Sequence, residues 1–239
     1  LIWTPYEEKQ LIQLRAKGKT TREIANALHR SYESIEHKIH RLGLEFKREE
    51  KKKKERIAFG DLECSSLTAS FGIIYTFCLK KLDGPIIKRK IDLKDLHSGL
   101  YDKNLVKQFI EDCEEFDRLV FHYGTDRKFD LPFIRTRAVY WGLPFPEHKF
   151  MWVGDTHPIL KNKFKLHSNR LEAACDFFGI PSKKHRLNTD IWLKMITGNK
   201  KLMQEAIDYI MIHNVEDVVS LELLWKKIYK YVPYVNTSI

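Results

Sequence analysis

The chain has 239 residues, 43% hydrophobic and 31% charged, a balance that supports a packed core and excludes a disordered chain. Its 42 lysines and arginines outweigh 32 aspartates and glutamates, and the net charge of +10 favours a polyanionic partner. No run of about 18 apolar residues occurs, and no apolar block stands beside a small-residue cleavage site near the start, so the expectation is a cytoplasmic protein with no membrane span.

The excess charge is uneven. Residues 1–56 carry 15 basic and 9 acidic side chains, whereas residues 57–239 carry 27 and 23. Within the first segment, Thr4-Pro-Tyr-Glu7 and Thr20-Thr-Arg-Glu23 are capping boxes that open two helices, the first with Leu11 and Leu14 inward and the second with Ile24, Ala25 and Leu28 inward. Ser31 caps a third helix with an Ile35, Ile39 and Leu42 stripe, closed by Gly43. Three short helices predict a trihelical helix-turn-helix domain over 1–46. The tract 47–56 has no apolar side chain and reads as a basic linker.

From 57 to 239 the pattern changes to α/β. Ile57–Gly60, Ala69–Lys81 and Pro85–Leu93 read as strands, with a turn at Asp83-Gly84. A helix follows over Tyr101–Glu115, a strand over Arg118–Tyr123, a helix over Leu131–Gly142 and a strand over Lys149–Val153. The remainder reads as four helices: Arg170–Phe178, Asp190–Ile196, Lys200–Met211 and Val215–Tyr231. A mixed sheet with flanking helices is the expected architecture. Four well-separated cysteines with no C-x-x-C pair argue against a zinc site or a disulfide scaffold.

Three acidic segments stand out. Asp61 and Glu63 end the first strand and share a face because side chains alternate. Asp130 follows a strand and opens a helix, where an isolated aspartate is an N-cap. Asp217 lies one turn beyond His213 on the last long helix. Carboxylates brought together repel unless a cation lies between them. Two Mg2+ or Mn2+ ions roughly 3.5–4 Å apart would use such oxygens to orient water at a phosphodiester. An imidazole with an ordinary pKa of about 6.5 suits His213 to accept the water's proton.

Asp61-x-Glu63, Phe129-Asp130 with Pro132-Phe133, and His213-x-x-x-Asp217 resemble the three motifs of DEDD-superfamily 3′–5′ exonucleases, which have a ribonuclease H-like fold. The blocks Tyr123-Gly-Thr, Phe129–Ala138, Leu166–Leu171 and His213–Val218 are similar to YprB-type proteins and to exonuclease subunits of phage DNA polymerases. The resemblance implies a ribonuclease H-like exonuclease domain over 57–239. It implies Asp61, Glu63, Asp130 and Asp217 as ligands of two ions and His213 as general base, with Asp155 secondary. It also implies a single-stranded DNA 3′ end as substrate, and a DNA polymerase or other replication protein as partner in a phage-infected host. Two features depart from that pattern: histidine stands at the spacing where members of one branch carry tyrosine, and Asp126-Arg-Lys128 lengthens the approach to Asp130. Tyr209, one turn before His213, reads first as a core or groove-lining tyrosine and only second as a substitute base.

Trp3–Glu7, Arg30–Ile35 and Lys38–Leu44 resemble Myb/SANT-like helix-turn-helix domains and the start of GcrA-type regulators. The resemblance places duplex DNA against the third helix, with Arg30, Ser31, Ser34, His37, Lys38 and Arg41 off the apolar stripe and open to contact. A structure-specific endonuclease, a ribonuclease of the same fold, and a DNA-binding regulator with a degenerate nuclease domain remain alternatives.

Overall fold

The computed structural model describes residues 3–44, 55–126, 128–146, 151–181, 185–232 and 237–238. Most of the expected linker, Lys47–Lys54, lies outside them. The chain divides into two compact units, residues 1–53 and 54–239.

The first unit holds α1 (Pro5–Ala16), α2 (Thr21–Leu28) and α3 (Tyr32–Arg41). Both capping boxes form, with Thr4 bound to Glu7 and Thr20 bound to Glu23. Leu11, Ile24, Ala25, Ile35 and Ile39 make the core, with Trp3 packed against it. Two of the six side chains expected to be open to DNA are engaged inside this unit. Arg30 forms two bonds to Glu7, at 2.9 and 3.0 Å, and its guanidinium lies 4.4 Å from the Trp3 ring centroid. Lys38 is only 4% exposed, pairs with Glu8 and lies 5.5 Å from the same ring. The cause is position: Lys38 is three residues after Ile35 and one before Ile39, so it borders the buried stripe. Arg30 and Thr4 hold the Glu7 carboxylate down at about 2. Ser31 accepts from Ser34 N–H as N-cap, while His37 and Arg41 are exposed.

The second unit is built on a six-stranded sheet in the order β3-β2-β1-β4-β5-β6. Its strands are β1 (Ile57–Cys64), β2 (Ile74–Lys81), β3 (Ile86–Lys90), β4 (Arg118–Phe121), β5 (Trp152–Asp155) and β6 (Thr237–Ser238). β1 pairs antiparallel with β2 and parallel with β4, and β4 pairs parallel with β5. Six consecutive residues of β2 are buried, the pattern of a strand covered on both faces. β1 runs four residues beyond the expected strand, which places Asp61 and Glu63 inside the sheet. A Cβ on Gly60 would come within 2.6 Å of the Phe121 ring, so glycine lets that ring cross β1.

Among the described residues seven helices flank the sheet: α4 (Leu93–Ser98), α5 (Lys103–Cys113), α6 (Asp130–Tyr140), α7 (Thr156–Lys163), α8 (Leu171–Phe177), α9 (Thr189–Thr197) and α10 (Lys200–Ile228). One core cluster joins Ala58, Leu62, Phe77, Leu119 and Phe121 to α5 and α6 and to Met203, Ala206, Ile207 and Ile210 of α10. A second joins Phe59, Cys78 and Val120 to α7, α8 and the later part of α10. Asp61 and Glu63 share the Phe59 face by alternation, which turns them toward α10.

Asp102, fully buried, ties these layers together. Its carboxylate accepts from Ile74 N–H at 3.0 Å, Arg137 Nε at 2.8 Å and Nη2 at 2.6 Å, and Trp141 Nε1 at 2.9 Å. The two helices expected at Lys200–Met211 and Val215–Tyr231 are one continuous helix, because neither glycine nor proline interrupts 200–228 and Asn214 faces inward at 0% exposure. The short helices α4 and α7 replace expected strand ends and loop. All four cysteines are free. No helix among the described residues is long and apolar enough to cross a membrane.

Candidate active site

The site forms where β1, α6 and α10 meet. Even-numbered residues of β1 direct their backbone groups toward β4, as Arg56 does in accepting from Asp117 N–H. β4 stops at Phe121, and its last ladder partner on β1 is Phe59, so Leu62 N–H points past its end. Asp130 takes that donor: Oδ1 accepts from Leu62 N–H at 3.0 Å. Asp130 is therefore the first residue of α6 rather than its cap, which is Phe129. The loop from β4 can pass behind it only because residue 124 is glycine; a Cβ there would collide with Asp130 Oδ2 and Phe121.

Burial pushes the Asp130 carboxyl up to about 7. Leu62 N–H opposes that rise, whereas the charges of Asp155 and Asp217 add to it. Asp155 caps α7 and accepts from Tyr123 N–H at 2.8 Å, Thr125 N–H at 3.3 Å, Thr125 Oγ1 at 2.9 Å and His157 N–H at 2.9 Å. Its oxygens are thus committed to the loop after β4. That loop holds Tyr123 at φ +65°, in the left-handed region.

On the other side, α10 presents His213, Asn214 and Asp217. His213 Nε2 lies 3.3 Å from Asp217 Oδ2 and 3.5 Å from Glu63 Oε1. Glu63, His213 and Asp217 form the one group of three or more metal-ligating side chains among the described residues, with donor atoms all within 4.8 Å. Asn214 Nδ2 bonds both to Asp61 Oδ2, at 3.0 Å, and to its carbonyl, at 3.2 Å. The buried Asn214 Oδ1 has no hydrogen-bond partner among the described residues.

Of the five residues expected here, Glu63, His213 and Asp217 are brought together, while Asp61 and Asp130 are held beside them by Asn214 and by the β1 backbone. Tyr209 does not face the carboxylates; its hydroxyl donates to Arg186 O at 3.3 Å. Phe133, in the turn of α6 that follows Asp130, is buried against Phe129. The residue that sequence reasoning missed is Asn214. Its signal was a polar side chain three residues before Asp217, on the same inward face.

The donor set suits hard divalent cations: four carboxylates and one imidazole, with like charges close enough to raise the Asp130 carboxyl. A cation between them relieves that repulsion. Glu63, His213 and Asp217, whose donor atoms converge, are the residues that could hold it.

The RNase_H_2 family of the RNase_H superfamily matches residues 58–229. No curated protein sequence matches the chain. Among solved structures, the family B DNA polymerase of the hyperthermophilic archaeon Pyrobaculum calidifontis is similar, with a TM-score of 0.56 and 16% identity over 73% of this chain and 24% of that one. The chain thus spans about a quarter of the polymerase's length. NrnC of Brucella melitensis has a TM-score of 0.49 and 19% identity over 74% of each chain. The same protein with bound Mg2+ has a TM-score of 0.47 and 18% identity over 74% of each chain. At 16% identity the likeness to the polymerase speaks to fold alone. Because the family match covers more than half of the sequence and every element from β1 to α10, the chain belongs to the RNase_H_2 family of the ribonuclease H superfamily.

Proposed function

We propose that this protein is a divalent-metal-dependent nuclease, a 3′–5′ exonuclease that hydrolyses DNA phosphodiesters with two Mg2+ or Mn2+ ions. The observation that carries the reading is the convergence of the Glu63 and Asp217 carboxylates, from β1 and α10, on His213 Nε2, with Asp130 of α6 held against the β1 backbone at Leu62. The 3′–5′ polarity, the DNA substrate and a replication partner rest on the resemblance of the three motifs to DEDD exonucleases. When bound, the ions would lower the pKa of water and offset charge building on the phosphodiester.

The chain's own groups divide the remaining work. Asn214 fixes Asp61, and Leu62 N–H fixes Asp130, so neither carboxylate has to be ordered when substrate arrives. His213 Nε2 is placed to take the proton of an attacking water. The N-terminal unit would hold duplex DNA through Ser31, Ser34, His37 and Arg41, the members of the expected set that form no ion pair among the described residues. With Arg30 and Lys38 committed to Glu7 and Glu8, fewer phosphate contacts are available than the count of cations suggests.

The test is digestion of 3′- and 5′-labelled single-stranded, duplex and branched DNA, and of RNA, with and without divalent metal. Mononucleotide release from 3′ ends of DNA is expected, and Asp61→Ala or Asp130→Ala should abolish it in folded protein. Full activity in either variant overturns the site. Internal fragments would assign an endonuclease, and RNA preference a ribonuclease. No activity, together with no rise in melting temperature at millimolar Mn2+, would assign a regulator.

A further inference from the structure

The irregular chain at His185–Arg186 lies along one face of α10. Tyr209, His213 and Glu216 follow one another at steps of four and three residues, so they line the same side of that helix. Each of them bonds to this strap. The Tyr209 hydroxyl donates to Arg186 O at 3.3 Å, and its ring meets His185 edge-on at 5.5 Å. Glu216 takes His185 N–H on Oε2 at 3.1 Å and His185 Nδ1 on Oε1 at 2.7 Å. Between these two anchors, His213 Nδ1 bonds to the carbonyl oxygen of His185.

A carbonyl oxygen can only accept, so the proton of that bond sits on His213 Nδ1. In the neutral ring this leaves the lone pair on Nε2, the nitrogen 3.3 Å from Asp217 and 3.5 Å from Glu63. The acceptor is a backbone atom of an irregular segment, with no helix or strand to hold it. Glu216 supplies the restraint, gripping the same residue by its amide and its ring. The helix that carries His213 thereby also carries the clamp that orients it.

We infer that the His185–Arg186 strap, clamped by Glu216, is a positioning element for His213: it fixes the Nδ1–H tautomer and aims Nε2 at the carboxylates. The inference deepens the proposed function and rests on His213 being the group that faces the reaction. Glu216 touches neither substrate nor reacting atoms in this scheme and acts only through the strap. An outer hydrogen-bond partner of this kind is worth about 10- to 100-fold in activity.

The experiment reads the tautomer directly. Histidine-ring 15N–1H correlation spectra are recorded on the metal-free full chain at alkaline pH, and the tautomer is read on the neutral ring as its own 15N shifts identify it. Wild type should show His213 as Nδ1–H. Glu216→Ala should move it toward the Nε2–H form that free imidazole favours, and Glu216→Gln, which keeps an oxygen for His185 N–H, should restore Nδ1–H. In the nuclease assay Glu216→Ala should lower kcat about 10- to 100-fold with KM little changed, and Glu216→Gln should recover most of it. If Glu216→Ala does not fold, His185→Ala, which keeps the carbonyl and loses one of two bonds to Glu216, should give a mixed tautomer. An Nε2–H form in wild type, or an unchanged Nδ1–H form in the folded alanine variants, overturns the inference. If the tautomers behave as expected but no nucleic acid is cut, the strap stands and the nuclease reading falls.

Discussion

Replacing Asp130 with asparagine should make the metal-free protein more stable at pH 8 while abolishing its activity. In the folded chain burial pushes this carboxyl up to about 7, with Asp155 and Asp217 adding repulsion. An aspartate in an unfolded chain titrates near 3.9. Because the folded value is the higher one, the protonated carboxyl's contribution is fully present below about pH 4 and is lost as pH rises through about 7. Above that range the gap amounts to about 4 kcal/mol at most. Asparagine has the same shape, carries no charge and keeps an oxygen for Leu62 N–H. Urea denaturation in chelator at pH 4 and pH 8 is the assay. The two proteins should be alike at pH 4, and the variant should lead at pH 8 by up to about 4 kcal/mol. Divalent metal should narrow that lead, since a cation at 100 times its Kd stabilises wild type by about 2.7 kcal/mol and the variant far less. A variant weaker than wild type at pH 8 in chelator, or a difference that does not change with pH, refutes this account of the site.

Asp102→Ala should lower stability by about 3–5 kcal/mol, because it strands the buried Arg137 guanidinium; denaturant midpoints will show it, with activity per folded molecule little altered. Gly124→Ala should cost about 1–3 kcal/mol by overpacking against Phe121 and, by displacing Asp130, should also weaken the metal-dependent rise in melting temperature. In the N-terminal unit, Arg41→Ala should weaken DNA binding and flatten its salt dependence by about one counterion. Glu8→Ala should instead destabilise that unit by releasing the buried Lys38, a loss visible in its melting rather than in the salt slope of the folded protein.

The acidic and histidine positions that converge in the fold were legible because each sits in a short local pattern. Asp61 and Glu63 share a face by strand alternation, and His213 and Asp217 share one by helical spacing; both relations follow from backbone geometry and survive folding unchanged. The capping boxes at Thr4 and Thr20 were readable for the same reason. What escaped depended on partners far along the chain. Nothing near Lys38 says that Glu8 and Trp3 will cover it, so a residue on the flank of an apolar stripe passed for a free cation. Nothing near residue 185 announces a contact with Glu216, 31 residues away. The single helix over 200–228 was split because His213, Asn214, Glu216 and Asp217 interrupt its apolar rhythm. His213 and Asn214 are polar because Glu63 and Asp61 lie opposite them, Asp217 because it pairs with His213, and Glu216 because it holds the His185 strap.

The short β4 strand has a consequence for how this fold can change. A backbone amide has one hydrogen, and at Leu62 it can serve either a longer β4 or the Asp130 carboxylate, but not both. Insertions that extend β4 by two residues would regularise the sheet and raise its cooperativity, yet they would evict an anion from the place where it is needed. Sheet completeness and chemistry are therefore competing ends here. A designer seeking a sturdier scaffold from this chain should lengthen β4, and one seeking a catalyst should leave it short.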